Sequence, residues 1–199
     1  ANGNMLTKQE QNGSLTQYRY DVENRLLDVT KDSVVISAFR YDGDGGRTRK
    51  LTANEDIRFV GALYEEANNR ASSYVFLGSA RIAQINDGQV FYYLTDHLGG
   101  TNVMTDGQGA KKQILEYLPY GKITRNEKFG TTAEQDAWYH FTGQYNDEES
   151  ELYFFNARYY DPELGRFIQA DEVVSKAGVP ITLNRYAYAG NNPIMNIDP

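Results

Sequence analysis

Apolar and polar positions alternate along much of this chain. Aromatic and aliphatic residues recur at every second position in YRYDVENRL (18–26), FRYDGDGGRTR (39–49), YVFLGSARI (74–82), VFYYLTDHLGG (90–100) and LEYLPYGKI (115–123). Each run ends in a polar or glycine-rich break. Period-two alternation followed by a turn predicts β-hairpins with one buried face. Asn2-Gly3, Asn12-Gly13, Asp87-Gly88 and Asp106-Gly107 are expected as two-residue hairpin turns, because Gly takes positive φ without steric cost. Tyr20-Asp21 and Tyr41-Asp42 lie 21 residues apart, and a unit that short cannot close a core without stacking on its neighbours. Helix signals are few. TTAEQDAWYHF (131–141) has Thr132 as N-cap and acidic residues in its first turn, and TLNRYAYAG (182–190) has Gly190 as its stop. Segments 126–130 and 173–180 read as loops. The expected fold is mainly β, a hairpin array through about residue 123 followed by a more irregular module with one or two short helices.

Composition agrees. The 199 residues suffice for a sizeable core, and 40% hydrophobic with 24% charged residues predicts a folded chain. Sixteen Tyr, nine Phe and 18 Gly against five Pro favour strands and tight turns. A net charge of −7 argues against nucleic acid or an anionic membrane as the main partner. The absence of Cys excludes disulfides, thiolate metal sites and a cysteine nucleophile. No apolar run reaches the roughly 18–20 residues of a membrane span. The opening ANGNMLTKQE lacks the features of a signal peptide, and both ends read as cuts from a longer protein.

One stretch concentrates candidate chemistry: LYFFNARYYDPELGRFIQAD (152–171) sets aromatic rings beside Arg158, Asp161, Arg166 and Asp171. On residue types alone, Arg158 is a strand arginine that packs on Tyr and pairs with Asp161. Asp171 is a turn or cap residue, and Asp198 a turn residue or part of a frayed chain end. DPELG reads as a hairpin turn, with Arg166 projecting across it towards acidic side chains. His97 and His140 have no ligand-spaced partners and read as hydrogen-bonding residues, and NDEESE (146–151) as a solvated loop rather than a calcium site. The aromatic stripes read as rings stacked on one another within sheets rather than as sugar platforms.

The Tyr-Asp units resemble the YD repeats of Rhs (rearrangement hotspot) proteins. The run from Tyr92 resembles their repeat-associated core domain through YYLTDHLGGTNVMTD, YLPYGK, FTGQYNDEESELYFFNARYYDPELGRF and RYAYAGNNPIMNIDP. The resemblance divides the chain into a YD-repeat array (1–90) and a core domain (91–199). It implies a β-shell that encloses a C-terminal toxin domain, continues from upstream shell repeats and is exported to the cell surface or beyond by a secretion apparatus. It also implies an intramolecular aspartyl protease, without metal or other cofactor, that cuts just past the terminal Asp-Pro. The catalytic roles fall on Arg158, Asp171 and Asp198. Two carboxylates suit such chemistry: one takes a proton from water while the other, protonated, polarises the scissile carbonyl. The chain departs from the family pattern in Glu172, which stands where Pro is usual, and in a longer Asp171-to-Asp198 interval. The pattern also continues past Pro199 with Gly and an apolar residue, so the bond to be cut lies outside this sequence. The alternatives are an inert casing, with Glu172 a sign of a degenerate site, and a surface module for adhesion or carbohydrate binding.

Overall fold

The computed structural model describes residues 2–68, 70–129, 136–171 and 183–198. Thirteen strands form one antiparallel meander in chain order: β1 (Thr7–Gln9), β2 (Leu15–Tyr20), β3 (Leu26–Lys31), β4 (Val34–Tyr41), β5 (Arg47–Thr52), β6 (Asp56–Val60), β7 (Tyr64–Ala67), β8 (Arg70–Leu77), β9 (Ala80–Asn86), β10 (Gln89–Thr95), β11 (Thr101–Asp106), β12 (Lys111–Tyr117) and β13 (Ile123–Lys128). A second sheet holds β14 (Tyr145–Asp147), β15 (Leu152–Phe155), β16 (Arg158–Asp161) and β17 (Arg166–Phe167). The large sheet passes through residue 90 without a break, since β10 spans it. The architecture changes only after Lys128.

Two kinds of turn join the strands of the large sheet. Some are tight two-residue turns, among them Asp32-Ser33 and the expected Asp87-Gly88 on one rim, with both residues at positive φ. The second kind explains the Tyr-Asp repeat and occurs on both rims, on the opposite one after β2, β4 and β10 and on that of Asp32-Ser33 after β11. After β2, β4, β10 and β11, an aspartate (Asp21, Asp42, Asp96, Asp106) folds its Oδ1 back to accept the backbone N–H groups two and four residues ahead, all at 2.8–3.0 Å. The residue three ahead is left-handed in each case: Asn24, Gly45, Gly99 and Gly109. The turn at Asp106-Gly107 is therefore longer than the expected two residues, and Gly109 is the glycine its geometry requires. Asn12-Gly13 likewise sits inside a longer loop, closed from Glu10 to Ser14. Asn2-Gly3 joins no strand pair among the described residues. The tyrosines do a different job: Tyr20, Tyr41 and Tyr117 each donate a hydroxyl hydrogen bond to a backbone carbonyl of the preceding segment (Met5, Leu26, Thr101) at 2.6–2.9 Å. In the Tyr20-Asp21 and Tyr41-Asp42 units, aspartate closes its own hairpin and tyrosine ties that hairpin to the segment before.

Beside each of these turns the returning strand carries one extra residue. Tyr20 pairs with Leu26 but Arg19 with Asp28, and Tyr41 pairs with Arg47 but Arg40 with Arg49. Such a bulge moves the following side chains to the opposite face. Leu26 and Val29 are consequently both buried, as are Arg47 and Lys50, although three-residue spacing would separate them in a regular strand.

The core lies between the two sheets. The large sheet wraps the small one, with ring contacts Phe39–Tyr159, Phe59–Tyr145, Tyr74–Tyr139 and Tyr117–Phe141 at 5.0–5.9 Å. Its two ends nearly meet. Glu163, in the turn before β17, pairs with Lys8 of β1 at 3.0 Å and with Lys122, just before β13, at 3.4 Å. The edges of β1 and β13 are not hydrogen-bonded to each other, so no closed barrel forms.

Neither expected helix is present among the described residues. Residues 131–135 and 182 lie outside them. Residues 136–140 form no helix: the chain bends at Trp138, Tyr139 bridges to Tyr145, and a 3-10 turn (Phe141–Gly143) follows. Trp138, His140 and Phe141 are buried among strands, which overrides the local helix signals. Ala187 bridges to Arg166, and Ala189–Asn191 is a single 3-10 turn.

Candidate functional site

Arg158 opens β16 directly after a sharp turn through Asn156, which is left-handed (φ 54°). Its guanidinium carbon lies over Phe167, 3.7 Å from the ring centroid. This stacking leaves the edge of the group free for hydrogen bonds. Nη1 meets Asp171 Oδ2 at 3.0 Å, and Nη2 meets Asp198 Oδ1 at 3.0 Å. Asp171 is held by a backbone ladder with Arg185: its N–H donates to the Arg185 carbonyl at 2.9 Å, and its own carbonyl accepts from Arg185 Nε. The other Asp198 oxygen faces the Ala189 N–H at 3.4 Å. The arginine side chain is 15% exposed, Asp171 37% and Asp198 19%, so the trio is sheltered yet open on the Asp171 side. All three residues that the resemblance selected thus meet at one guanidinium, with carboxylates from segments 27 residues apart brought together.

Asp198 also lines a cavity of about 890 Å³ on the concave face of the large sheet, together with Arg47, Arg81, Tyr139, Tyr145 and Ile197. Among the described residues, no group of three or more His, Cys, Asp or Glu is placed to hold a metal ion.

Several residues take other partners than their sequence context suggests. Asp161 does not pair with Arg158. It is buried, its Oδ1 accepts the Glu163 and Leu164 N–H groups, and its Oδ2 meets Lys8 Nζ at 2.8 Å. DPELG is a hairpin turn, as expected. Arg166 is exposed and forms no ion pair among the described residues. His97 Nε2 donates to the Ile194 carbonyl at 2.8 Å. His140 Nε2 donates to the Ala137 carbonyl at 2.7 Å, and burial pulls its ring down to about 4.

No local signal announces the interior charges. NDEESE is not a solvated loop throughout: Asp147 is fully buried and receives Arg47 Nη1 at 2.6 Å and Lys50 Nζ at 3.1 Å. Lys50 also meets Glu149 at 2.7 Å. Burial pulls the Lys50 ammonium down, and the Asp147 and Glu149 carboxylates more than offset it. Arg47 stacks within 5.6 Å of Phe39, Phe59, Tyr145 and Phe154. Nearby, burial pushes the Glu65 carboxyl up to about 7 against the pull of the Tyr74 hydroxyl and Arg70.

Residues 53–194 match the Teneurin YD-shell family. The tRNA3(Ser)-specific nuclease WapA of Bacillus spizizenii is 30% identical over 206 residues, which cover 96% of this chain and 9% of that protein. Double-stranded DNA deaminase toxin A of Burkholderia cenocepacia is 29% identical over 234 residues, 99% of this chain and 16% of that protein. The Photorhabdus luminescens Tc holotoxin pore superposes with a TM-score of 0.78 at 22% identity, over 92% of this chain and 10% of that one. The last likeness concerns the fold alone. The chain therefore spans a small part of each relative's length.

Proposed function

The chain belongs to the Teneurin YD-shell family, and from that premise we propose that it is a wall segment of a toxin-enclosing shell, with an autoproteolytic site at Arg158, Asp171 and Asp198. The observation that carries the second part is the shared guanidinium, with a carboxylate 3.0 Å from each terminal nitrogen. With both carboxylates ionised the trio has one negative charge in excess, and a single proton brings it to neutrality. In that state the charged carboxylate takes a proton from water, and the water oxygen bonds to the scissile carbonyl carbon. The protonated carboxyl hydrogen-bonds the carbonyl oxygen as it becomes an oxyanion, and Arg158 offsets the developing charge. Collapse breaks the C–N bond, and the leaving amine takes up the proton. The reaction uses no cofactor. The enclosed partner is a toxin domain downstream, and the wall continues into shell upstream. Two of the relatives named above are a nuclease and a deaminase toxin, which supports this partner and an exported setting.

One observation favours a second reading, an inert casing. Arg158 also reaches the Arg185 carbonyl at 3.4 Å and stacks on Phe167, so it fastens the last segment to the β15–β16 hairpin whether or not anything is cut. Intact-mass measurement on the full-length protein separates the two. The protease reading expects wild type cut shortly after Pro199, with Asp171→Asn and Asp198→Asn both intact. A folded but uncut wild type leaves a casing.

A further inference from the structure

The cavity beside Asp198 holds an unusual cation. Arg81, on β9, has its guanidinium carbon 3.2 Å from the Tyr139 ring centroid, with Phe76 at 4.9 Å and Tyr74 at 5.0 Å. Its Nη1 donates to the Gly143 carbonyl at 3.2 Å, and its buried Nε has no hydrogen-bond partner. Arg81 forms no ion pair among the described residues. Arg47, the other arginine lining the cavity, is already committed to Asp147. Glu65 lies close enough to feel Arg81, but its burial leaves it only partly ionised near neutral pH, so the offset is incomplete. A guanidinium clamped between rings and short of acceptors is a ready site for a carboxylate, which it can meet through parallel N–H groups.

We propose that this cavity receives the chain segment that continues past Asp198-Pro199, and that Arg81 binds an acidic side chain of that segment. The inference rests on the reading of Arg158, Asp171 and Asp198 as a protease, and it names the substrate class: an extended segment of the same chain, apolar with at least one Asp or Glu. Ile197 and Asp198 line the same cavity as Phe76 and Arg81, so Asp198 borders a space whose walls already hold both kinds of contact. The volume of about 890 Å³ lies at the upper end of ordinary ligand pockets. Aromatic walls take apolar side chains, and the lone uncompensated arginine fixes register, which places one bond at the carboxylates.

The test uses the full-length protein with its native downstream segment. In an Asp198→Asn background, p-benzoylphenylalanine in place of Phe76 is irradiated and the cross-link mapped by mass spectrometry. Capture of residues beyond Pro199 is expected; capture of any other segment, or none, overturns the proposal. This arm does not depend on cleavage, so an uncut wild type refutes the protease without deciding the cleft. In the cleaving protein, Arg81→Gln is expected to slow release about tenfold, which corresponds to about 1.4 kcal/mol, while Arg81→Lys keeps most of the rate. Lys substitution of the downstream acidic residues is expected to slow release equally, and Arg81→Glu to restore it in that background. A downstream segment without acidic residues, an unchanged rate in Arg81→Gln, or a failed charge swap each overturns the assignment to Arg81.

Discussion

Asp147→Asn is expected to be among the most damaging single substitutions in this chain. The carboxylate is fully buried, and its partners Arg47 and Lys50 have side chains only 3% and 1% exposed. Without it, two cations remain inside the protein with only Glu149, itself 31% exposed, as counter-charge. Breaking a buried ion pair from one side costs about 3–5 kcal/mol, a large share of the roughly 5–15 kcal/mol that holds an ordinary domain together. For a chain of this size that loss lowers the melting temperature by roughly 6–20 °C. Urea unfolding followed by Trp138 fluorescence is a suitable assay, because that ring is stacked on Tyr145, whose other neighbours include Arg47. Pairing Asp147→Asn with Arg47→Met in a double-mutant cycle is expected to give a coupling of about 2–3 kcal/mol. The exposed pair Arg49–Asp56 serves as control, with Asp56→Asn changing the midpoint little. A loss below about 1 kcal/mol in Asp147→Asn, or a coupling near zero, refutes the view that the cluster is a closed, interdependent unit.

Glu65 is pushed up to about 7 in the fold, so native protein holds its proton more tightly than unfolded chain does, and stability falls as pH rises from about 4.5 through 7. Glu65→Gln is therefore expected to flatten that slope and to stabilise the protein at pH 8 by about 3 kcal/mol; an unchanged slope in denaturation measured from pH 5 to 8 contradicts this. His140, pulled down to about 4, acts on the acid side, where stability falls as pH drops from 6.5 towards 4, and that loss should stand out in the Glu65→Gln background. Gly121→Ala places a methyl group 2.5 Å from Phe141 Cδ1 at a φ of 87°, and is expected to cost at least about 2 kcal/mol. Gly13→Ala, with φ 90° and open space around it, should show only the backbone cost of about 1–2 kcal/mol; equal thermal shifts for the two would remove the role given to Phe141. Asp96→Ala leaves the Leu98 and Gly100 N–H groups without their acceptor and should cost about 1–2 kcal/mol by urea titration, whereas Asp96→Asn should retain most of the stability.

The hairpin array was legible because its signals are local. Alternation, glycine placement and the Tyr-Asp spacing each act within a few residues, and the candidate trio Arg158, Asp171 and Asp198 came from motifs long enough to recognise whole. What stayed hidden depends on faces. A bulge after Tyr41 turns Arg47 onto the same side as Lys50, so RTRKLT reads as a solvated strand when counted in twos. Asp147 sits in an acidic run whose composition promises solvent, and only the arrival of two cations from β5, about a hundred residues away, makes its burial tolerable. The described part of 131–141 departs from the expected helix for a related reason. In its described part, backbone that could have bonded to itself instead pairs with Gln144 and the β11 residue Thr101.

The extra residues beside the aspartate turns lie on both rims of the sheet, after β2, β4 and β10 on one and after β11 on the other. A bulge bends its own strand and sharpens the local twist. The ribbon therefore takes its bend from every hairpin that carries one, and curvature is a property of the single unit rather than of the whole sheet. A unit gained or lost changes the length of the ribbon and leaves the bend of its neighbours as it was.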